Sequence, residues 1–165
     1  MEESAASSTS DAALADLRLD VVVPMCADFL HIGHVRLLDR AASLGGLVTV
    51  LLMTDEAMMT YKRRPFFAFL ERRETLLALR SVHNVLPFSQ HPDRFEDFVR
   101  EFKPSYFVHG TDWRVGAQAK SRALVIQAMA EHGGTVVEPE YTQGISSSMI
   151  HALLAKHIET QPKVN

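Results

Sequence analysis

The segment His31-Ile32-Gly33-His34 places two imidazoles three residues apart. It follows the apolar run Leu19-Asp20-Val21-Val22-Val23-Pro24-Met25-Cys26 and precedes Val35-Arg36-Leu37-Leu38-Asp39-Arg40-Ala41-Ala42, whose spacing is helical. A helix starting near Ile32 leaves its first amide N–H groups without intrahelical partners and puts the positive end of its dipole there, an arrangement suited to a phosphate group. Gly33 lets such a group come close, and His31 and His34, on one face, can donate N–H bonds to the same phosphate chain. Two other readings compete with this clamp. One is a partly buried structural pair. The other is a metal site, for which a third ligand is needed and only Cys26 or Asp28 lies nearby; helical zinc pairs also usually take the four-residue spacing.

Other stretches at the ends of apolar runs add to the clamp reading. Thr54-Asp55-Glu56 opens a short helix that runs into Tyr61-Lys62-Arg63-Arg64-Pro65, a cationic loop ahead of Glu71-Arg72-Arg73; these cations also fit a solvated surface. After Ser105-Tyr106-Phe107-Val108-His109 comes Gly110-Thr111-Asp112-Trp113-Arg114, where Gly110 permits a tight turn, Asp112 can cap the next element, and Trp113 can equally be core. Tyr141-Thr142-Gln143-Gly144-Ile145-Ser146-Ser147-Ser148 puts a glycine and three hydroxyls at a helix start, which serves either as a second anion site or as a simple N-cap.

The elements that must position these groups alternate. Apolar runs at 19–26, 46–53, 82–88, 105–109 and 134–138 read as strands, and helical spacing covers 33–44, part of 68–81, 92–102, 116–132 and 146–158. Short strands alternating with amphipathic helices predict a parallel sheet covered on both faces, with ligands beyond the carboxyl ends of the strands. The 165 residues, 47% hydrophobic, suffice for one domain. Residues 1–16 are expected to be a mobile tail, 17–158 the domain, and 159–165 a tail or linker. A net charge of −3 gives no wide basic face for long nucleic acid. Cys26 is the only cysteine, which excludes an intrachain disulfide and fits a reducing cytoplasm. No apolar run approaches the ~20 residues that cross a bilayer.

In this order the motifs resemble the HxGH nucleotidyltransferases, and within them the small cytidylyltransferases that act on glycerol, choline or ethanolamine phosphate. His31-Ile32-Gly33-His34 is similar to the first signature, Lys62 to the phosphate-binding lysine, and Arg73 to the arginine of the following helix. Gly110-Thr111-Asp112-Trp113 resembles the GxDW turn, and Gly144-Ile145-Ser146-Ser147-Ser148 the GIS(S/T)(S/T) signature. The resemblance spans about residues 19–155. It implies a Rossmann-like nucleotidyltransferase fold with a parallel five-stranded sheet and helices on both faces, commonly dimeric, using CTP with Mg²⁺.

Where those relatives carry GTFD this chain has Met25-Cys26-Ala27-Asp28, and where they carry Arg before TxGIS it has Tyr141. With Tyr61-Lys62-Arg63-Arg64-Pro65, His109-Gly110-Thr111-Asp112-Trp113 and Glu138-Pro139-Glu140-Tyr141-Thr142, these departures resemble the phosphonate cytidylyltransferase domain joined to phosphoenolpyruvate phosphomutase, of the fosfomycin-type 2-hydroxyethylphosphonate group. That resemblance implies transfer of CMP from CTP to a phosphonate such as 2-hydroxyethylphosphonate or 2-aminoethylphosphonate, with the C-terminal tail suiting a linker towards a mutase.

The resemblance also implies roles. His31 and His34 hold the phosphate chain of CTP, and Lys62 bridges the incoming acceptor and the α-phosphate. Ser146, Ser147, Ser148 and nearby amides hold the β- and γ-phosphates. Cys26, Ala27, Asp28, Phe29 and Gly33 line the ribose and phosphate edge, while His109, Gly110, Asp112, Trp113, Tyr141, Gly144 and Ile145 surround the cytosine. Arg73 and Arg114 are further anion contacts, and Mg²⁺ rests mainly on phosphate oxygens, through water to Asp28 or Asp112. A phosphonate dianion is already nucleophilic, so no general base and no covalent enzyme intermediate are required. Transfer of AMP from ATP and a non-catalytic nucleotide sensor are the rival readings.

Overall fold

The computed structural model describes residues 19–160; the expected tail at 1–16 and the segment 161–165 lie outside them. Five strands form one sheet: β1 (Val21–Met25), β2 (Val48–Met53), β3 (Asn84–Phe88), β4 (Tyr106–Val108) and β5 (Thr135–Val137). Their order is β3-β2-β1-β4-β5 and every pairing is parallel. The two central strands, VVVPM and VTVLLM, are buried along their whole length, as strands covered on both faces must be. This is the expected α/β, Rossmann-like architecture.

The helices are α1 (Ile32–Ala42), α2 (Asp55–Tyr61), α3 (Phe69–Leu77), α4 (Phe95–Phe102), α5 (Ala119–Glu131) and α6 (Ser147–Thr160). One face of the sheet buries Val21, Val23, Val50 and Leu52 with Leu38 and Ala41 of α1 and Leu76 of α3. The other buries Val22, Leu51 and Phe107 with Phe95 and Val99 of α4 and Val125 and Met129 of α5. None of these described helices is long and apolar enough to cross a membrane.

Two details of β1 open the sheet at its carboxyl end. Its ladder with β2 runs through Met25, but its ladder with β4 ends at Val22–Phe107. Pro24, which has no N–H to give, therefore stands where β1 has lost one neighbour, and a proline is tolerated there. The strand order reverses between β1 and β4, and where the two part beyond Val22 a crevice opens at the carboxyl ends.

Candidate active site

That crevice is a cleft of about 470 Å³. His31 and His34 at the start of α1, Lys62 after α2, His109, Gly110 and Asp112 after β4, Tyr141 and Thr142 of the following loop, and Ile145 to Ser148 around the start of α6 all border it. The imidazole pair and the serine triplet, 112 residues apart between His34 and Ser146 by number, thus share one rim of the sheet.

The histidines cap their own helix. His31 is the N-cap residue and its Nδ1 accepts from the Gly33 N–H at 3.1 Å, while His34 Nδ1 accepts from the His31 N–H at 3.4 Å. The rings lie 4.0 Å apart. This corrects the expectation of unpaired first amides, because part of the helix start is satisfied by the rings themselves. The consequence is chemical. A neutral imidazole that accepts at Nδ1 carries its proton on Nε2, so both rings hold an Nε2–H donor for an anion. Burial lowers the pKa of His31, and burial together with the charges of His31 and Lys62 lowers that of His34 to about 4. Both rings are therefore neutral donors at pH 7.

That shift has a stability consequence. His34 ordinarily titrates near 6.5, so between pH 6.5 and 4 the unfolded chain takes up a proton that the folded chain refuses. Stability is complete above about 6.5 and falls through that window by ~2–3 kcal/mol. We expect the thermal midpoint to drop with pH there and the drop to flatten in His34→Ala; an unchanged slope in that variant would remove His34 as its source.

Gly33 serves the pair rather than the ligand. A Cβ there would sit 2.9 Å from His31 Cε1 and 3.0 Å from Nδ1, because the ring folds back over this residue. Alanine is the better helix former, and the clash is relieved by swinging the ring away. Gly33→Ala is thus expected to keep its thermal midpoint within a few degrees yet lose about 10-fold in turnover; full activity would show that the folded-back ring is dispensable.

Lys62 follows α2 as its C-cap, and its Nζ lies 5.0 Å from the Tyr61 ring centroid. The loop it starts is fixed by Asp28, 1% exposed, whose carboxylate accepts from Arg63 Nη2 at 3.0 Å and from the Phe66 and Phe67 amides at 2.7 and 3.3 Å. Asp28 borders the cleft, but its oxygens are committed to this loop, which corrects its expected role towards a metal. A second anchor is Arg72 of α3, 2% exposed: it donates to the carbonyls of Cys26 at 2.5 Å, Met53 at 2.9 Å and Phe67 at 3.0 Å, and to Asp55 at 2.6 Å. Between these anchors Ala27 holds a left-handed φ of 50°, a strained conformation that the surrounding bonds impose. Burial, in spite of Lys62 and Arg72, raises the Cys26 pKa, so the thiol stays protonated and weakly nucleophilic.

At the far wall, His109 lies 3.5 Å from Asp112 through Nδ1, which also donates to the Gly110 carbonyl at 2.9 Å. With its proton on Nδ1 in that bond, the uncharged form of the ring would present Nε2 as an acceptor, the reverse of His31 and His34. Burial opposes ionisation of Asp112, but the hydrogen bond and charge of His109, a backbone N–H and the charge of Lys62 outweigh it and lower its pKa. Ser146 caps α6, its Oγ accepting from the Met149 N–H at 3.0 Å and its carbonyl from Ile150 at 3.0 Å. The amides of Ser147 and Ser148 open the first turn, where no intrahelical acceptor exists. The loop between is tied to both sides: the Tyr141 N–H donates to Thr111 Oγ1 at 3.2 Å, and the Tyr141 hydroxyl to the Ile145 carbonyl at 3.3 Å.

Several expected contacts lie off the cleft. Trp113 is fully buried beneath His109, Ala27 and Phe29 border a smaller cavity with Phe67 and Ile150, and Phe29 packs on Phe66 at 5.0 Å. Gly144 forms the turn with φ 81° and borders nothing within 4 Å of its missing Cβ. Arg73 is exposed on α3 outside the cleft, because Arg72 is the one that turns inward. Arg114 is held by Glu138 at 2.9 Å. Sequence reading missed Arg36, Leu37 and Arg40, which with Gly33 repeat at helical spacing and bring one face of α1 to the cleft. It also missed Arg72; its signal was an arginine four residues before Leu76, on the apolar face of its helix.

Comparison with known proteins places the chain in a family and a fold. Residues 22–153 match the family described as Cytidylyltransferase-like. The chain is 31% identical over 144 residues to the Bifunctional protein HldE of Coxiella burnetii (strain RSA 493 / Nine Mile phase I), covering 84% of this chain and 29% of that protein. It is 35% identical over 86 residues to the glycerol-3-phosphate cytidylyltransferase of Staphylococcus aureus (strain NCTC 8325 / PS 47), covering 52% of this chain and 64% of that one. The chain thus spans less than a third of the HldE protein's length. Among solved structures, the lipopolysaccharide core biosynthesis protein of Thermoplasma volcanium GSS1 superposes with a TM-score of 0.59 at 22% identity, over 75% of this chain and 96% of that one, a likeness of fold.

Proposed function

Because the chain belongs to the cytidylyltransferase-like family, we propose that it is a nucleotidyltransferase that moves CMP from CTP to a small phosphonate, 2-hydroxyethylphosphonate as the first choice. The observation that carries this reading is the convergence of two neutral Nε2–H donors, the Lys62 ammonium and the first amides of α6 on one cleft. Donors of that kind and number match a triphosphate meeting a second anion.

In the reaction an oxygen of the acceptor dianion attacks the α-phosphorus of CTP, the bond from that phosphorus to the β-phosphate oxygen breaks, and pyrophosphate leaves. The acceptor supplies its own nucleophile, which accords with a Cys26 thiol kept protonated by burial. His31 and His34 donate to the phosphate chain, Lys62 offsets repulsion between the two anions, and the Ser147 and Ser148 amides take the departing phosphates. Asp112 is a half-exposed carboxylate bordering this anion site, and no group of three or more metal-ligating side chains exists among the described residues. That fits Mg²⁺ carried in on the nucleotide, with Asp112 as its protein contact; there it would neutralise phosphate charge.

Support for a phosphonate rests on Met25, Cys26, Ala27 and Tyr141 at positions where the alcohol-phosphate enzymes differ. A second acceptor, 2-aminoethylphosphonate, is favoured by Glu140, a cleft-lining carboxylate with no ion pair among the described residues, which can meet an ammonium. Cytoplasmic residence, a homodimer and a fused phosphomutase are further parts of this proposal. The test is phosphorus NMR of the protein with CTP or ATP, Mg²⁺ and a panel of phosphonates and phosphate monoesters. A CMP-phosphonate with pyrophosphate is expected; AMP transfer alone, or binding without pyrophosphate, would replace the reading by one of its rivals.

A further inference from the structure

Glu138 stands one residue past β5, and its carboxylate accepts four side-chain hydrogen bonds although it does not border the cleft. Trp113 Nε1–H donates to Oε1 at 2.7 Å, Arg122 donates from Nε to Oε1 at 2.7 Å and from Nη2 to Oε2 at 2.9 Å, and Arg114 Nη2 donates to Oε2 at 2.9 Å. The arginine and indole hydrogen bonds, Arg122 first, outweigh burial and hold the Glu138 pKa at about 2. Glu138 thereby joins β5, α5 and the turn after β4 through three side chains that share one anion.

Trp113 carries that constraint to the cleft. Its ring is stacked at 6° and 4.2 Å from the His109 imidazole and at 15° and 5.8 Å from Phe107. His109 borders the cleft, while Trp113 does not. The plane of the indole therefore sets the plane of the imidazole, and the same turn carries the Gly110 carbonyl that fixes the His109 tautomer and the Asp112 carboxylate beside it.

We infer that Glu138 is a positioning residue for nucleotide binding, acting through the Trp113 indole to hold the His109 and Asp112 wall of the cleft with its acceptor groups facing the ligand. A ligand group that donates hydrogen bonds, such as an exocyclic amine or a ribose hydroxyl, is what that wall is built to meet. The role rests on the proposed nucleotide function for its consequence, but the geometry it invokes exists without ligand.

Trp113 is the protein's one tryptophan, so its fluorescence reports on this wall alone. The experiment follows that emission during CTP titration in the unmodified protein, Glu138→Ala and Glu138→Gln, and steady-state pyrophosphate release, thermal midpoint and the imidazole nitrogen NMR of His109 in these and in Trp113→Phe, which has no tryptophan left to emit. Trp113→Phe keeps an aromatic ring but removes the N–H, whereas Glu138→Gln keeps an acceptor oxygen for it. We expect the KM for CTP to rise about 10-fold in Glu138→Ala and Trp113→Phe and about 3-fold in Glu138→Gln, with kcat nearly unchanged. The Nδ1-protonated pattern of His109 should be lost or averaged in the same order. A merely structural carboxylate would lower the thermal midpoint without moving KM or the His109 pattern, and that result overturns the inference. Should Glu138→Ala fail to fold, the other two variants decide. If the emission of the unmodified protein responds to neither CTP nor ATP, the nucleotide reading falls, while the His109 pattern still judges Glu138.

Discussion

His34→Ala is expected to lose about 100-fold or more in turnover while staying folded, because removing one preformed donor to transition-state charge costs that much. The ring is a neutral Nε2–H donor, fixed in that tautomer by the His31 N–H at its Nδ1 and kept uncharged by burial that holds its pKa at about 4. No rotamer search and no protonation step precede its contact with phosphate. The substitution also frees the His31 N–H, but the helix keeps the His34 and Val35 amides bonded to the His31 carbonyl at 2.9 and 3.3 Å. The variant should therefore show normal circular dichroism with slow pyrophosphate release. Near-normal turnover would take His34 out of the mechanism.

Lys62→Ala is expected to match that loss, with the larger part appearing when the acceptor is varied. Lys62 is the one lysine bordering the cleft among the described residues, and its neighbour Arg63 cannot replace it because its guanidinium is held by Asp28 at 3.0 Å. Its charge offsets repulsion that grows as the two anions close, so the interaction strengthens towards the transition state. Lys62→Arg should recover little, since a planar fork does not occupy the place of a compact ammonium. Steady-state kinetics with CTP saturating and acceptor varied checks both; wild-type kcat and acceptor KM in Lys62→Ala would assign acceptor binding elsewhere.

The legible part of the chain rests on period and punctuation. The buried runs VVVPM and VTVLLM mark central parallel strands, and His31, Lys62, Gly110 and the serine triplet stand at strand ends where a parallel sheet binds ligands. The five strands and the helices that cover them fall within a few residues of their expected spans. Distinctions finer than the motif stay hidden, because they depend on which face of a turn a side chain takes. Arg72 and Arg73 are adjacent and alike in charge, yet only Arg72 shares the inward face with Leu76. Asp28 and Asp112 are alike in type, yet one is consumed by Arg63 and two amides while the other keeps an exposed carboxylate. Trp113 is expected from its motif to touch the base, but its indole takes the distant Glu138 as acceptor and lies beneath His109 instead. Pairings at a sequence separation of 25 to 38 residues have no local signature.

The most direct measurement is a crystal structure of the protein with Mg²⁺ and a CTP analogue that cannot be cleaved between the α- and β-phosphates. The phosphate chain is expected to span the cleft, bonded at one side to Nε2 of His31 and His34 and at the other to the amides of Ser147 and Ser148, with the Lys62 Nζ beside the α-phosphate. A triphosphate seated away from the imidazoles, or one that reaches only a single rim, would contradict it.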